Sequence, residues 1–114
     1  SSGYVSGRYT KIGNIVHVSI FINNSASNTF GSGAMQFTGL PFASNANMYP
    51  LCHAAMVRYT NPPSGAFQLQ TYVASSSTTL TFYWSDNSNW TQFVGTDINN
   101  DSVFAMYAGL SYFT

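Results

Sequence analysis

Apolar residues along this chain recur at every second position, not at helical spacing. Val16, Val18, Ile20 and Ile22 fall on one side of an extended segment, and Ile15, His17, Ser19, Phe21 and Asn23 fall on the other. Leu80, Phe82 and Trp84 alternate in the same way with Thr79, Thr81, Tyr83 and Ser85. From Met48 to Asn61, one face is predicted to carry Tyr49, Leu51, His53, Ala55, Val57 and Tyr59, with Pro50 marking an edge or a bulge. Further strands are predicted at Ala34 to Thr38, Ala66 to Ala74 and Ser102 to Phe113. Asn61-Pro62-Pro63-Ser64-Gly65 and Ser75-Ser76-Ser77 punctuate them as turns, and Asn23 to Asn28 reads as a polar loop. The stretch Asp86 to Asn100 reads as the longest irregular region. About seven or eight short strands with turns between them and no helical period describe an all-β fold, an antiparallel β-sandwich of jelly-roll character.

The terminal strand complicates this picture. Val103, Ala105 and Tyr107 lie on one face, and Phe104, Met106, Ala108 and Leu110 on the other. A two-sheet sandwich buries one face of each sheet, so apolar residues on both faces call for a second cover. Self-association supplies it, and loops over a central strand would be the alternative; the length of the run favours self-association.

Composition narrows the partners. The 114 residues are enough for one domain with its own core. Only Arg8, Lys11 and Arg58 are basic, and only Asp86, Asp97 and Asp101 are acidic. A surface of Ser, Thr and Asn with so little charge suits neutral, hydroxyl-rich ligands. It lacks the basic stripe that nucleic acid requires and the polybasic cluster that anionic membranes attract. No apolar run approaches the length of a membrane span. Cys52 stands alone and is expected to be a buried small hydrophobe.

Two short motifs carry more specific information. Tyr9-Thr10-Lys11-Ile12-Gly13-Asn14-Ile15-Val16 reads as strand, tight turn, strand, because Gly13-Asn14 tolerates positive φ. Gly39-Leu40-Pro41-Phe42 reads as a strand exit, because Pro41 cannot donate to a ladder. Together, Y-x-K-I-G-N-x-V and G-L-P-F resemble the C-terminal domain of bacteriophage tail fibre and tailspike proteins. The likeness is close through the stretch ending just beyond Phe42 and holds only in character afterwards. A Trp-Thr-Pro stretch common upstream of the hairpin in that family is missing, and Ser1-Ser2-Gly3 reads as a start inside a longer protein. The resemblance implies residues 1–114 form a single β-sandwich at the C-terminal end of a longer fibre protein, usually a homotrimer, on an extracellular virion. There it would contact bacterial surface polysaccharide or lipopolysaccharide glycan, or lock the trimer without binding anything. A carbohydrate-binding module of a secreted bacterial protein is the remaining alternative.

The residues most suited to glycan are in and beside the Asp86-Asn87-Ser88-Asn89-Trp90 segment. An indole face packs on the C–H side of a pyranose, while Asp86, Asn87 and Asn89 offer hydrogen bonds to hydroxyls. Tyr83, on the polar side of its strand, would extend the platform. The competing expectation, which a large aromatic ordinarily favours, is that Trp90 folds back and plugs the sandwich rim. Trp84 is assigned to the core. Lys11 is read as protecting an edge strand, with an anionic-glycan contact as the sharper alternative.

Catalysis has little to stand on. Glycoside hydrolysis ordinarily uses two carboxylates across a cleft, and the chain has no Glu at all. Its three Asp lie near turns, where bonds to backbone account for them. No G-x-S-x-G elbow accompanies the serines. His17 and His53 sit on different strands without an acidic or Cys partner at ligand spacing, so no metal or cofactor is assigned. A threefold axis could gather three copies of one histidine.

Overall fold

The computed structural model describes residues 3–24, 32–98 and 104–114. Of the polar loop predicted from Asn23 to Asn28, Asn23 and Asn24 instead end a strand, and residues 25–28 lie outside the described residues, as do Asp101 and Val103. Among the described residues there are nine strands and one 3-10 turn at Gly95–Asp97. The larger antiparallel sheet runs β1 (Gly3–Ile12), β2 (Ile15–Asn24), β9 (Ala105–Phe113), then β4 (Leu51–Cys52) and β5 (Met56–Arg58) end to end along the far side of β9. The smaller sheet is built on β7 (Leu80–Ser85), with β6 (Gln68–Val73) on one side and β3 (Gln36–Phe37) and β8 (Trp90–Gln92) on the other.

The hairpin motif folds as its residues dictate. β1 and β2 pair over their full length through the two-residue turn Gly13-Asn14. Only Gly13 takes positive φ, at 60°, so glycine occupies the first turn position, as a type II′ hairpin requires. At the other motif Gly39 also has positive φ, 80°. Leu40 N–H donates to the Thr78 carbonyl, after which Pro41 carries the chain away. The two motifs meet in space. The Tyr9 ring stands edge-on to Phe42 at 5.9 Å, and Lys11 Nζ lies 5.3 Å from the Phe42 ring centre. From the sheet interior, Tyr112 donates its hydroxyl to the Phe42 carbonyl at 2.8 Å.

The core fills the space between the sheets. Val16 and Ile20 from β2 and Met106, Ala108, Leu110 and Tyr112 from β9 face Leu69, Val73, Leu80, Phe82 and Trp84. Phe93 sits at the centre, its ring within 6.4 Å of those of Phe82, Trp84 and Phe104. β9 is therefore a central strand, with its Met106–Tyr112 face in the core. On the outer face Ala105 and Ser111 are buried and Tyr107, stacked 4.7 Å from Phe21, remains half exposed.

The segment from 48 to 61 is not the single strand its alternation predicts. β4 sets Leu51 opposite Ser111, and β5 sets Met56 opposite Tyr107, so the register slips by one residue between them. In the slip, Ala54 bridges to Gln70 of the other sheet, Ala55 N–H bonds the Leu69 carbonyl, and Thr71 N–H bonds the His53 carbonyl. The chain thus closes one side of the sandwich. A slip of one residue reverses the faces, which is why the predicted apolar face breaks up: Tyr49 is 88% exposed and Leu51 and Tyr59 are exposed as well. Cys52 is exposed rather than buried, and the partial burial it does have pushes its thiol above the ordinary value, away from reactivity. The region after Asp86 is also more regular than expected, since it contains β8 and the 3-10 turn.

Candidate functional site

Inward positions of the small sheet are spent on the core, so its outer face is set by the alternate residues. β6 presents Gln68, Gln70 and Tyr72, β7 presents Thr81, Tyr83 and Ser85, and β8 presents Trp90 and Gln92. The registers align Gln68, Ser85 and Trp90 in one row, Gln70, Tyr83 and Gln92 in the next, and Tyr72 with Thr81 in the third. Tyr72, Tyr83 and Trp90 consequently form a diagonal of aromatic rings across three strands. Each step of such a diagonal is about 8 Å, from the spacing between strands and the rise of two residues. The two tyrosine rings meet edge to face at 5.8 Å, forming a corner rather than a flat shelf.

Trp90 does not fold back onto the rim. Pairing of Trp90 with Ser85 turns its side chain outward, and it is 75% exposed. Its placement comes from the turn before it. Asp86 Oδ1 accepts from the backbone N–H of Ser88 at 2.7 Å and of Asn89 at 2.6 Å, and from the Ser88 hydroxyl. Asp86 N–H donates to the Asn89 carbonyl, and Asn89 Oδ1 accepts the Trp90 N–H at 2.8 Å. These backbone bonds hold the Asp86 carboxyl below the ordinary aspartate range. Asp86 and Asn89, expected as hydrogen-bonding contacts, are thus engaged in building the turn that aims Trp90, and Asn87 is exposed within its bend.

The glutamines flanking Tyr83 were not singled out from sequence. Ser85 Oγ donates to Gln70 Oε1, which fixes that amide beside Tyr83, and Gln92 lies directly opposite Tyr83 on β8. Their signal was the period of two through Gln68, Gln70 and Tyr72, together with the position of Gln92 two residues after Trp90. The arrangement offers ring faces and neutral amides on an open surface, and no charged side chain belongs to its rows.

The other predicted residues are placed elsewhere. Trp84 is in the core, its Nε1–H donating to Asp97 Oδ2 at 3.1 Å, and the same carboxylate oxygen accepts the Val94 N–H at 3.0 Å. Lys11 lies on the edge strand β1. His17 and His53 come together on the outer face of the large sheet, one on either side of Ser111. Among the described residues no cluster of three or more His, Cys, Asp or Glu could hold a metal, and no helix is long and apolar enough to cross a membrane. A groove of about 260 Å³ opens on the side away from the closing segment, where β1 overhangs Phe37, Gly39, Leu40 and Pro41.

No protein-family model matches the chain, and no curated protein matches it in sequence. Among solved structures it is similar to the crystal structure of Dettilon tailspike protein (gp208), with a TM-score of 0.69 at 17% identity. That alignment covers 99% of this chain and 22% of the tailspike chain, so the two share a fold over a part of the larger protein.

Proposed function

We propose that this domain is a host-attachment module of a phage tail fibre or tailspike, carried on the virion as a homotrimer and recognising bacterial surface glycan. The observation that carries the reading is the diagonal of Tyr72, Tyr83 and Trp90 flanked by Gln70 and Gln92 on an uncharged sheet face. The likeness to a tailspike supports the virion setting. Binding takes place without chemistry: pyranose C–H groups pack on the Trp90 ring, and sugar hydroxyls exchange water for the glutamine amides. An open sheet face buries little of each sugar, so three copies acting on one polysaccharide supply the affinity that one lacks. Trp90→Ala is expected to abolish binding on an array of bacterial surface polysaccharides while light scattering still reports a trimer. Undiminished binding by that variant would overturn the assignment of this face.

A second reading, assembly of the fibre trimer without a ligand, is favoured by the distribution of exposed apolar residues. Val5, Tyr9 and Ile12 lie on β1 at one edge of the large sheet, and Tyr49, Leu51 and Met56 lie at or beside its opposite edge. In a ring, one edge of each copy would meet the other edge of the next. Misassembly of the fibre on deleting the domain, with no glycan bound by the intact one, would select this reading. A stable monomer at micromolar concentration would overturn both and leave a carbohydrate-binding module of a secreted bacterial protein.

A further inference from the structure

On the opposite side of the molecule, away from the aromatic diagonal, two imidazoles converge on one hydroxyl. His17 Nδ1 lies 2.7 Å from Ser111 Oγ, and His53 Nε2 lies 3.3 Å from the same atom. Ser111 is buried while both histidines are exposed, so the rings stand over the hydroxyl at the surface. The backbone fixes this meeting. β9 holds Ser111 opposite His17 in β2, and on its other side the chain between β4 and β5 brings in His53. His53 is anchored there through Thr71, whose N–H and Oγ1 bond the His53 carbonyl and N–H and whose hydroxyl also reaches the Gly109 carbonyl at 2.7 Å. Gly109 leaves the neighbouring position on the outer face without a side chain. A Cβ there would stand 3.1 Å from the Val18 carbonyl. The result is a depression of about 360 Å³ with His17, His53, Ser111 and Gly109 in its lining.

We propose that His17 and His53 chelate a first-row transition metal ion in this depression, one ion per chain, with the remaining coordination positions open to water or to an external ligand. An ion within about 2.0–2.1 Å of each nitrogen requires the rings to draw together over Ser111, which side-chain rotation in an exposed depression permits. Ser111 Oγ then lies beneath the ion as an acceptor for a bound water. The donor set determines the class of metal. Two neutral imidazoles without a carboxylate suit zinc, nickel and copper, copper most strongly, and offer nothing to calcium or magnesium. By register, the charged residues on this outer face are, among the described residues, Arg8, opposite Ser19, and Arg58, opposite Ala105, and neither brings a negative charge to the ion. This inference is independent of the glycan reading.

The test is calorimetric titration of tag-free protein with nickel and copper chloride in mildly alkaline buffer, where imidazole is neutral. One ion per chain is expected, with copper tighter than nickel and no response to calcium. His17→Ala and His53→Ala should each weaken binding at least tenfold. Because both histidines are exposed, circular dichroism of the variants should match the parent. Equal binding by either histidine variant would overturn the chelate, as would the absence of binding below millimolar metal. A stoichiometry of one ion per three chains would also overturn it, by showing that copies pool a histidine. Binding of phosphate in place of metal would assign the depression to anions and overturn it too.

Discussion

The two faces of the small sheet are made from the same strands, yet they use aromatic residues for opposite purposes. Along β7, Phe82 and Trp84 point inward and Tyr83 points outward, separated only by the alternation of the strand. Inside, Phe82, Trp84 and Phe93 pack edge to face around a shared centre, and the one indole N–H is satisfied by Asp97. Outside, Tyr72, Tyr83 and Trp90 are strung along a diagonal with amides between them. The difference lies in the neighbours. An inward ring is surrounded by other rings and aliphatic chains, and its contribution comes from excluded water and dispersion. An outward ring has glutamine, serine and threonine beside it, which keep the face wet and leave the ring free for a partner. One face should therefore govern stability and the other binding.

The strongest way to break that division is to empty the inner face. Phe93 is fully buried and contacts three rings, so Phe93→Ala should cost about 3–5 kcal/mol, measured by urea denaturation. In a domain of marginal stability this removes much of the folded population. A loss below about 1 kcal/mol would mean that the core closes around the gap and that the inner face is not the source of stability.

Next in size is the polar tie between the sheets. Thr71 is buried on the inner face of β6 and gives its hydroxyl to the Gly109 carbonyl. Thr71→Val keeps the shape and removes the hydroxyl, leaving buried groups unpaired, at about 1–3 kcal/mol. The same change should loosen the His53 segment, so protection of the Ala55 and Thr71 amides from hydrogen exchange should fall more than that of β7. Uniform loss across both sheets would show that the tie is not local.

How much of this was legible in the residues depends on distance along the chain. The alternation in β2 and β7 and the Gly13-Asn14 turn are local signals, and each produced the structure it predicted. The break at 53–55 was hidden because an alternating sequence carries no sign of a one-residue slip imposed by pairing to two different sheets. The exposure of Trp90 depended on β8 being registered against Ser85, a pairing set by the Asp86 turn, and three residues are too few for periodicity to reveal. The meeting of His17 with His53 required the strand order β2-β9-β4, which no local pattern encodes.

On the outer face, Trp90→Ala should change stability by no more than about 0.5 kcal/mol, as for an exposed residue outside any packed contact. Loss of binding without loss of stability is the outcome that sharpens the comparison, and a fall in stability comparable to that of Thr71→Val would erase it.

The smallest effect is the most local, and it tests how Trp90 is held. The Asp86 carboxyl is kept below its ordinary value first by the Ser88 and Asn89 amides. A carboxyl with a depressed folded-state value contributes stability that is fully present above its unfolded value and disappears as pH falls through the folded one. The turn should therefore be intact at neutral pH and loosen only on acidification below about pH 4. Amide resonances of Ser88, Asn89 and Trp90 should shift together in that range while those of β6 stay still. In Asp86→Asn the amide oxygen can still accept, but nothing titrates, so the shifts should vanish and the Trp90 resonance should become insensitive to acid. If the shifts persist in that variant, another group controls the turn, and the outward aim of Trp90 must come from the β7–β8 pairing alone.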